Sequence, residues 1–346
     1  MIEEVLQRPG FWALEGPHDE TVLSSRIRLA RNMSSVPFPN RLDQGDLSLL
    51  RMVIDRFVTE SEYRESAVLI DLRGTGSQEK RLLRERNVIT SEMEESDISM
   101  VIACPDYDFT ILVNEEDHFR IQVIRRGLRL REIFRIADSI DDELNRFVQY
   151  AFSDQYGYLC ACPSNIGTGL KVSVLLHLPA LAHKKRIGDL SKQFVKSGLE
   201  IKGTVGDMAR TMGGIYHLSN RVTLGMSEVD IIETVDCAVN EILTMEDRER
   251  DELYSSSRND LEDRVMRSLG LLLNARKINY VEAMDHISNV RLGVILAIIR
   301  DCDINTLNEI MVNIQWSHLQ RYYNRTFRSS AEADEYRSVY IRSNFH

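Results

Sequence analysis

Residues 109–126 read FTILVNEEDHFRIQVIRR, a run of β-forming residues, an acidic bend and a second β-rich run. Val, Ile, Phe and Thr gathered on both sides of a short polar break predict two strands joined by a turn. Strands connected this tightly pair antiparallel, because a parallel pair needs a crossover of a dozen or more residues. Upstream, 67–72 and 98–104 have the signature of buried strands, and 48–61 has helical spacing. Downstream, Ile133, Ile136, Ile140, Leu144 and Phe147 recur at steps of three and four, an amphipathic helix over 133–148. The strand-like GYLCAC (157–162) then enters a glycine-containing loop, 163–169. Further strands are expected at 171–178, stopping at Pro179, at 199–205 and at 214–218. Strands that follow one another without a helix in each connection predict an α+β domain on an antiparallel sheet rather than a doubly wound one. From Ser227, which with Asp230 resembles a capping box, nearly every segment has helical spacing. The composition changes in the charged run MEDRERDE (245–252), so the expected division is an α+β domain over 1–246 and an all-helical one over 247–346.

The 346 residues hold 43 Lys and Arg against 53 Asp and Glu, a net charge of -10. That balance counts against nucleic-acid binding by charge, and any anion site must be local. Five cysteines, an odd number in no framework spacing, argue against a disulfide scaffold or a zinc knuckle and for a reducing cytoplasm. Glu3 and Glu4 are unlike the start of a signal peptide, and no apolar run approaches the length that crosses a bilayer. The expectation is a soluble cytoplasmic protein with no membrane partner.

Four constellations could carry chemistry. In SSRIRLAR (24–31), Arg26 and Arg28 alternate, so on an extended backbone they project from one face about 7 Å apart, as a phosphate clamp would. Taken alone they fit a solvated edge strand equally well. In NEEDH (114–118), Glu115, Glu116 and Asp117 crowd against His118 and Arg120. Three acids in a turn are most often merely solvated, yet apolar strands on both sides hold this turn firmly, as a site requires. CPSNIGTGLK (162–171) lacks the GxxxxGK[ST] of a P-loop, but its small residues could bring backbone N–H groups to phosphates, with Lys171 adding charge. By itself it reads as a turn. EIKGTVGDMARTMGG (200–214) sets Lys202 on a strand and Asp207 in a glycine-containing loop, a cation and a base on a segment that alone reads as a surface hairpin. Together these supply cations for phosphate and two separate carboxylates at strand ends, which a reaction joining ATP to a guanidinium needs.

The ordered motifs LSSRIRLARN, VNEEDHFRIQ, CPSNIGTGLKVSVLLHLPAL and GIYHLSNRVTLGMSE, between residues 22 and 228, resemble those of the phosphagen (guanidino) kinase superfamily, and of its bacterial protein arginine kinase branch in particular. LEDRVMRSLGLL and VRLGVILAII extend the similarity into the helical tail. The resemblance implies a saddle-like antiparallel sheet flanked by helices, followed by a helical domain that supports dimerisation and binds phosphoarginine. It places the nucleotide at Ser24, Ser25, Arg26, Ile27 and Arg28, at Asn87 and Arg120, at Lys171, Val172, Ser173, Val174 and Leu175, and at Lys202, Gly203, Thr204, Val205, Gly206 and Asp207. Catalytic carboxylates fall on Glu116 and Asp207, and the family's loop cysteine on Cys162. In the tail, the phosphoarginine motif keeps Asp334 and Arg337, with Ala333 where the family has its first arginine. Kinases of free arginine or creatine carry a helical domain of roughly a hundred residues ahead of the SxRxR motif, in the range of a small domain. Here 23 residues precede Ser24, and the extra helical domain follows instead.

The implied reaction passes the γ-phosphoryl group of ATP, with magnesium, to arginine side chains in proteins. A guanidinium, whose pKa exceeds about 12, must be held and deprotonated to act as a nucleophile. Glu116 and Asp207 would grip its N–H groups and take the proton, while Arg26, Arg28, Arg120, Lys171 and Lys202 neutralise the transferring group. Magnesium would be held by nucleotide and water rather than by a protein cage. The implied partners are arginine-bearing proteins, an activator of the McsA type, Clp-type protease machinery and a second copy of the chain. The site departs from the family at four positions: Lys171 and Lys202 stand for arginine, Asp207 for glutamate and Asn87 for histidine. Two other readings stay open, a kinase of free guanidino compounds and a degenerate kinase fold that regulates by binding without turnover.

Overall fold

A computed structural model describes residues 2–7, 10, 15–105, 108–204 and 211–345. The strands are β1 (Val22–Arg31), β2 (Val68–Asp71), β3 (Met100–Cys104), β4 (Phe109–Val113), β5 (Phe119–Arg125), β6 (Phe152–Ser153), β7 (Gly157–Tyr158), β8 (Leu170–His177), β9 (Leu199–Gly203) and β10 (Ile215–Asn220). Eight of them form one sheet in the order β2-β3-β4-β5-β1-β8-β10-β9, and β6 pairs with β7. β4 and β5 pair antiparallel across the NEEDH bend, as the sequence leads one to expect, and β2–β3, β3–β4 and β5–β1 are antiparallel as well. β3 is buried along its whole length and β4 at all but Thr110, which is why both read as continuous apolar runs rather than alternating ones.

The helix with period-3.6 spacing is α5 (Leu130–Asn145), which packs against β5 and buries Ile133, Ala137, Ile140 and Leu144. It ends two residues short of Phe147, and Ala137, not Ile136, joins the buried stripe. Upstream lie α1 (Ile2–Gln7), α2 (Gln44–Glu60), α3 (Ser77–Glu85) and α4 (Ser91–Glu94). An Asp43–Asp46 capping box begins α2. Pro179 stops β8 and opens α6 (Pro179–His183) at its first turn, where a missing N–H leaves no bond unmade. α7 (Ile187–Lys196) then leads to β9. Only Gly157 and Tyr158 of GYLCAC are strand, because beyond them the chain turns toward a buried carboxylate: Ala161 N–H donates to Asp117 Oδ1 at 2.7 Å.

The Ser227–Asp230 pair does cap a helix, α8 (Glu228–Ser256). It is followed by α9 (Arg258–Asn274), α10 (Tyr280–Ile295), α11 (Ile304–Asn313), α12 (Trp316–Tyr322) and α13 (Ser330–Asn344). The charged run 245–252 lies inside α8, where Glu246 and Arg250 are buried and Glu246 accepts the backbone N–H groups of Ala180 and Leu181. By packing, the chain forms two compact units: residues 1–11, 24–173 and 219–236 make one, and 12–23, 174–218 and 237–346 the other. One apolar cluster of the first unit gathers Val68, Ile70, Leu83, Met93, Val101 and Leu112. The second is centred on Val265, Ile287, Val290, Leu307 and Ile341. Among the described residues no helix is long and apolar enough to cross a membrane.

Candidate active site

Register brings the arginines together. Ala30 lies opposite Arg120, Arg28 opposite Gln122 and Arg26 opposite Ile124, so Arg26, Arg28 and Arg120 occupy one face of the β1–β5 pair. The other face, Ile27 and Leu29 with Ile121 and Val123, is in the core. Burial, aided by the charge of Arg120, lowers the Arg26 guanidinium to about 10. Arg28 is held well below its ordinary value by burial and then by Arg26 and Arg120, against the pull of Glu115 and Glu116. Arg28 Nε has no hydrogen-bond partner among the described residues. Partly desolvated cations set against one another form an environment that an anion relieves.

The NEEDH bend splits into two roles. Asp117 is fully buried and accepts from Asn32 Nδ2 at 2.6 Å and from Ala161 N–H at 2.7 Å. His118 Nδ1 accepts from Met33 N–H at 3.1 Å, and the backbone N–H of His118 donates to Asn32 Oδ1 at 2.9 Å. These two residues pin the bend to the end of β1. Glu115 and Glu116 are thereby held toward Arg120, whose Nη1 meets Glu115 at 2.7 Å and whose Nη2 meets Glu116 at 3.0 Å. Thr90 Oγ1 also donates to Glu115, leaving Glu116 the more exposed carboxylate, with 42% of its side chain accessible against 5% for Glu115.

The glycine-containing loop supplies the third wall. Gly169 has φ +65°, and a Cβ there would lie 2.6 Å from the carbonyl oxygen of Ala30. Only glycine lets the loop lie this close to β1, where Ala30 N–H bonds Gly169 O at 2.9 Å. Asn165 Nδ2 reaches Glu116 at 3.3 Å, and Lys171 Nζ donates to the carbonyl of Asn220. The result is a cavity of about 240 Å³ walled by Arg28, Arg120, Lys171 and Arg221, with Glu116 and Gly169 at its edge. A second cavity, about 430 Å³, shares Glu116 with the first and is otherwise lined by Glu92, Glu115, Asn114, Ser96 and Ser99 among others, with no Lys, Arg or His among the described residues on its walls. One carboxylate thus stands between a cationic chamber and an acidic one.

Not every expected residue joins them. Ser25 is buried and donates to Gly127 O at 2.7 Å, and Ile27, Val172 and Val174 are buried too; Ser24 is also buried, on the face of β1 that carries Arg26 and Arg28. Ser173 Oγ accepts from Arg26 Nε at 3.2 Å. Leu175 packs on the apolar cluster of the second unit. Asn87, at φ +59°, gives its carbonyl to Gln122 Nε2 and lines a separate cavity of about 110 Å³ with Arg86 and Thr110. Cys162 is half-buried, 3.0 Å from Ser164 Oγ, whereas burial first and then Asp117 push the neighbouring Cys160 thiol up to about 12. Lys202 projects from β9 with more than half its side chain exposed and pairs with Glu200 at 2.8 Å. Gly203 is buried, and Thr204 Oγ1 accepts from Met212 N–H. Val205, Gly206 and Asp207 lie outside the described residues.

The family "ATP:guanido phosphotransferase, C-terminal catalytic domain" matches over residues 49–249, and "Protein-arginine kinase McsB C-terminal domain" over 258–346. A protein-arginine kinase of Symbiobacterium thermophilum is 38% identical over 95% of this chain and 94% of its own. One of Bacillus subtilis is 37% identical over 96% of this chain and 92% of its own. The chain belongs to the protein-arginine kinase family. The fold agrees with that of the wider guanidino kinases. Lombricine kinase superposes with a TM-score of 0.58 at 23% identity, over 70% of each chain. The duplicated taurocyamine kinase of Schistosoma mansoni gives 0.59 at 22% identity, over 71% of this chain and 35% of that one. Arg28, Glu116, Arg120 and Lys171 all fall within the motifs quoted from the sequence. Sequence reasoning gave no role to Arg221, which lines the cationic cavity, although it sits inside the quoted motif GIYHLSNRVTLGMSE. A cation directly after the β10 asparagine was the available signal: Asn220 binds Val172 N–H at 2.8 Å and so fixes where the next residue goes.

Proposed function

We propose that this chain is a protein arginine kinase that binds ATP with its phosphates in the cationic cavity and passes the γ-phosphoryl group to an arginine side chain held at Glu116. The observation that carries the reading is Glu116 on the wall of both cavities, one suited to phosphate and the other to a guanidinium. A nitrogen of the acceptor guanidinium attacks phosphorus, the N–P bond forms as the P–O bond to ADP breaks, and the displaced proton goes to Glu116. Arg120 is the switch in partners: it pairs with Glu115 and Glu116 here, and arriving phosphate competes for it and releases Glu116 toward the acceptor. In this reading Asp207 is the second carboxylate, Lys202 a further cation and Cys162 a neighbour of the acceptor. Magnesium would be held by nucleotide and water and would supply positive charge to the phosphates.

The same reading divides the chain at 246, with residues 247–346 serving dimerisation, and places it in the cytoplasm with an McsA-type activator and Clp-type protease machinery as partners. It does not extend to phosphoarginine binding by the tail. Arg337 is buried, and its guanidinium donates to the carbonyls of Ile314 at 2.9 Å and Ile278 at 3.1 Å and pairs with Asp334 at 2.5 Å. Both surviving motif residues are engaged in holding α13 in place.

Incubation of the purified chain with magnesium ATP and an arginine-rich protein, with free arginine in parallel, tests the proposal. Acid-labile phosphoarginine, read by mass spectrometry, should appear on the protein and not on the free amino acid. Phosphorylation of free arginine would favour a guanidino-buffering kinase. Intact ATP binding with no product in either tube would favour a regulatory fold without turnover.

A further inference from the structure

The cavity on the acceptor side is larger than its neighbour, about 430 Å³ against about 240 Å³. Pockets of roughly 300–1,000 Å³ hold ligands far bigger than one guanidinium. Glu116 is one of its lining residues. The remaining polar groups on its walls include Asn40, Glu92, Ser96, Ser99, Asn114 and Glu115. Glu115 is already satisfied by Arg120 and Thr90. Glu92 is exposed and makes no ion pair with a described residue; hydrogen bonds from its own backbone N–H and from Ser91 and Thr90, with a smaller pull from the charge of Arg120, hold its carboxyl below the ordinary range. Asn114 is a second and independent sign. It is 2% exposed and its amide donates to Ile98 O at 3.2 Å, yet no described residue donates to its Oδ1. A buried acceptor left without a donor costs about 1–3 kcal/mol, so a wall that carries one favours a donor-rich ligand.

Resting on the kinase reading above, we propose that this cavity takes a second basic side chain, Lys or Arg, close in sequence to the acceptor arginine, with Glu92 as its counter-charge and Asn114 Oδ1 as a neutral acceptor. The acceptor guanidinium fills the Glu116 end, and the flanking cation fills the Glu92 end. The preference is then for arginines in basic stretches of a substrate protein over isolated ones. An ammonium or guanidinium is the ligand class that fits, since it presents only donors and carries the opposite charge to the walls.

The test is equilibrium binding rather than turnover. Labelled short peptides with one central arginine, flanked by lysine or by alanine, are titrated with the full chain and a non-hydrolysable ATP analogue, and affinity is read by fluorescence anisotropy. Wild type should bind the lysine-flanked peptide about fivefold or more tightly, the upper range of a partly exposed charge pair. In Glu92→Gln the ratio between the two peptides should fall to near one, and in Glu92→Lys it should invert. The ratio is what is read, so a general loss of affinity counts for nothing. Equal affinities in wild type, or a ratio unchanged in both variants, overturn the proposal. A parallel reaction with magnesium ATP keeps the two readings apart: discrimination between peptides without phosphoarginine would sink the kinase assignment and leave the subsite standing.

Discussion

Replacing Glu116 by Gln keeps the shape of the one side chain shared by both cavities and removes its ability to take a proton. Phosphoryl transfer should fall by about 10²–10⁴, with ATP affinity within a few-fold, measured by single-turnover kinetics and nucleotide titration. Full activity in that variant would remove the base assignment. Arg28→Ala should act on the other side of the reaction and weaken ATP binding roughly tenfold or more, because a guanidinium partly desolvated among like charges is there for an anion. Asp117 has a different part. Its carboxylate lies next in sequence to Glu116 but is fully buried, holding Asn32 and Ala161. Asp117→Ala should therefore destabilise the fold by about 1–3 kcal/mol through buried donors left unpaired, a loss to be read from urea midpoints. As letters, Glu115, Glu116 and Asp117 are three acids in a turn. Their division into one buried anchor, one buried paired carboxylate and one accessible carboxylate came from β1 and the 160–165 loop closing over the bend.

β1 and β5 show how much of a site an element pair can encode. Alternation in SSRIRLAR correctly put Arg26 and Arg28 on one face. That Arg120 joins them follows from the register Ala30↔Arg120, and a slip by one residue would send it to the opposite face. The loop before β8 was recognisable from its glycines, but not the reason for Gly169, which is contact with the Ala30 carbonyl. Gly169→Ala should cost about 1–3 kcal/mol from the left-handed φ and the clash together, and should weaken ATP binding as the loop backs away from β1. Thermal unfolding and nucleotide titration on the same preparation check both parts. The GYLCAC strand was overestimated because its apolar letters are satisfied by a loop folded onto Asp117 rather than by a ladder.

Over the larger architecture, the helical unit has a buried titratable group of its own. His177, at the end of β8, is fully buried; its Nε2 meets Ser288 Oγ at 2.8 Å, and Arg291 and Arg250 lie nearby. Burial first, and those two charges second, hold its pKa well below 6.5. Since the unfolded chain binds the proton more readily, the stability from a neutral His177 is complete above about pH 6.5 and declines below it, by up to about 1.4 kcal/mol per pH unit. Urea unfolding between pH 8 and 5.5 should show that decline in wild type and a shallower one in His177→Gln. Equal slopes would assign the effect to other groups. Arg337→Ala should cost about 3–5 kcal/mol, the loss expected when a buried charge pair is broken, and so identify Arg337 as a support of the tail.

The antiparallel α+β class, the helical tail and the family were legible along the chain, because strand and helix periods and contiguous motifs are local properties. Arg28, Glu116, Arg120 and Lys171, which line the cationic cavity, each lie inside such a motif. The chambers were not legible: Glu116 between cations and acids, Arg221 beside Lys171, and Glu92 and Asn114 on one wall are separated by tens of residues and meet through sheet register and loop closure. Nor did Asp334 and Arg337 disclose from sequence that their charges are consumed by each other and by two backbone carbonyls. A residue type sets which bonds a side chain can make; which of those bonds are already taken depends on neighbours that only folding supplies.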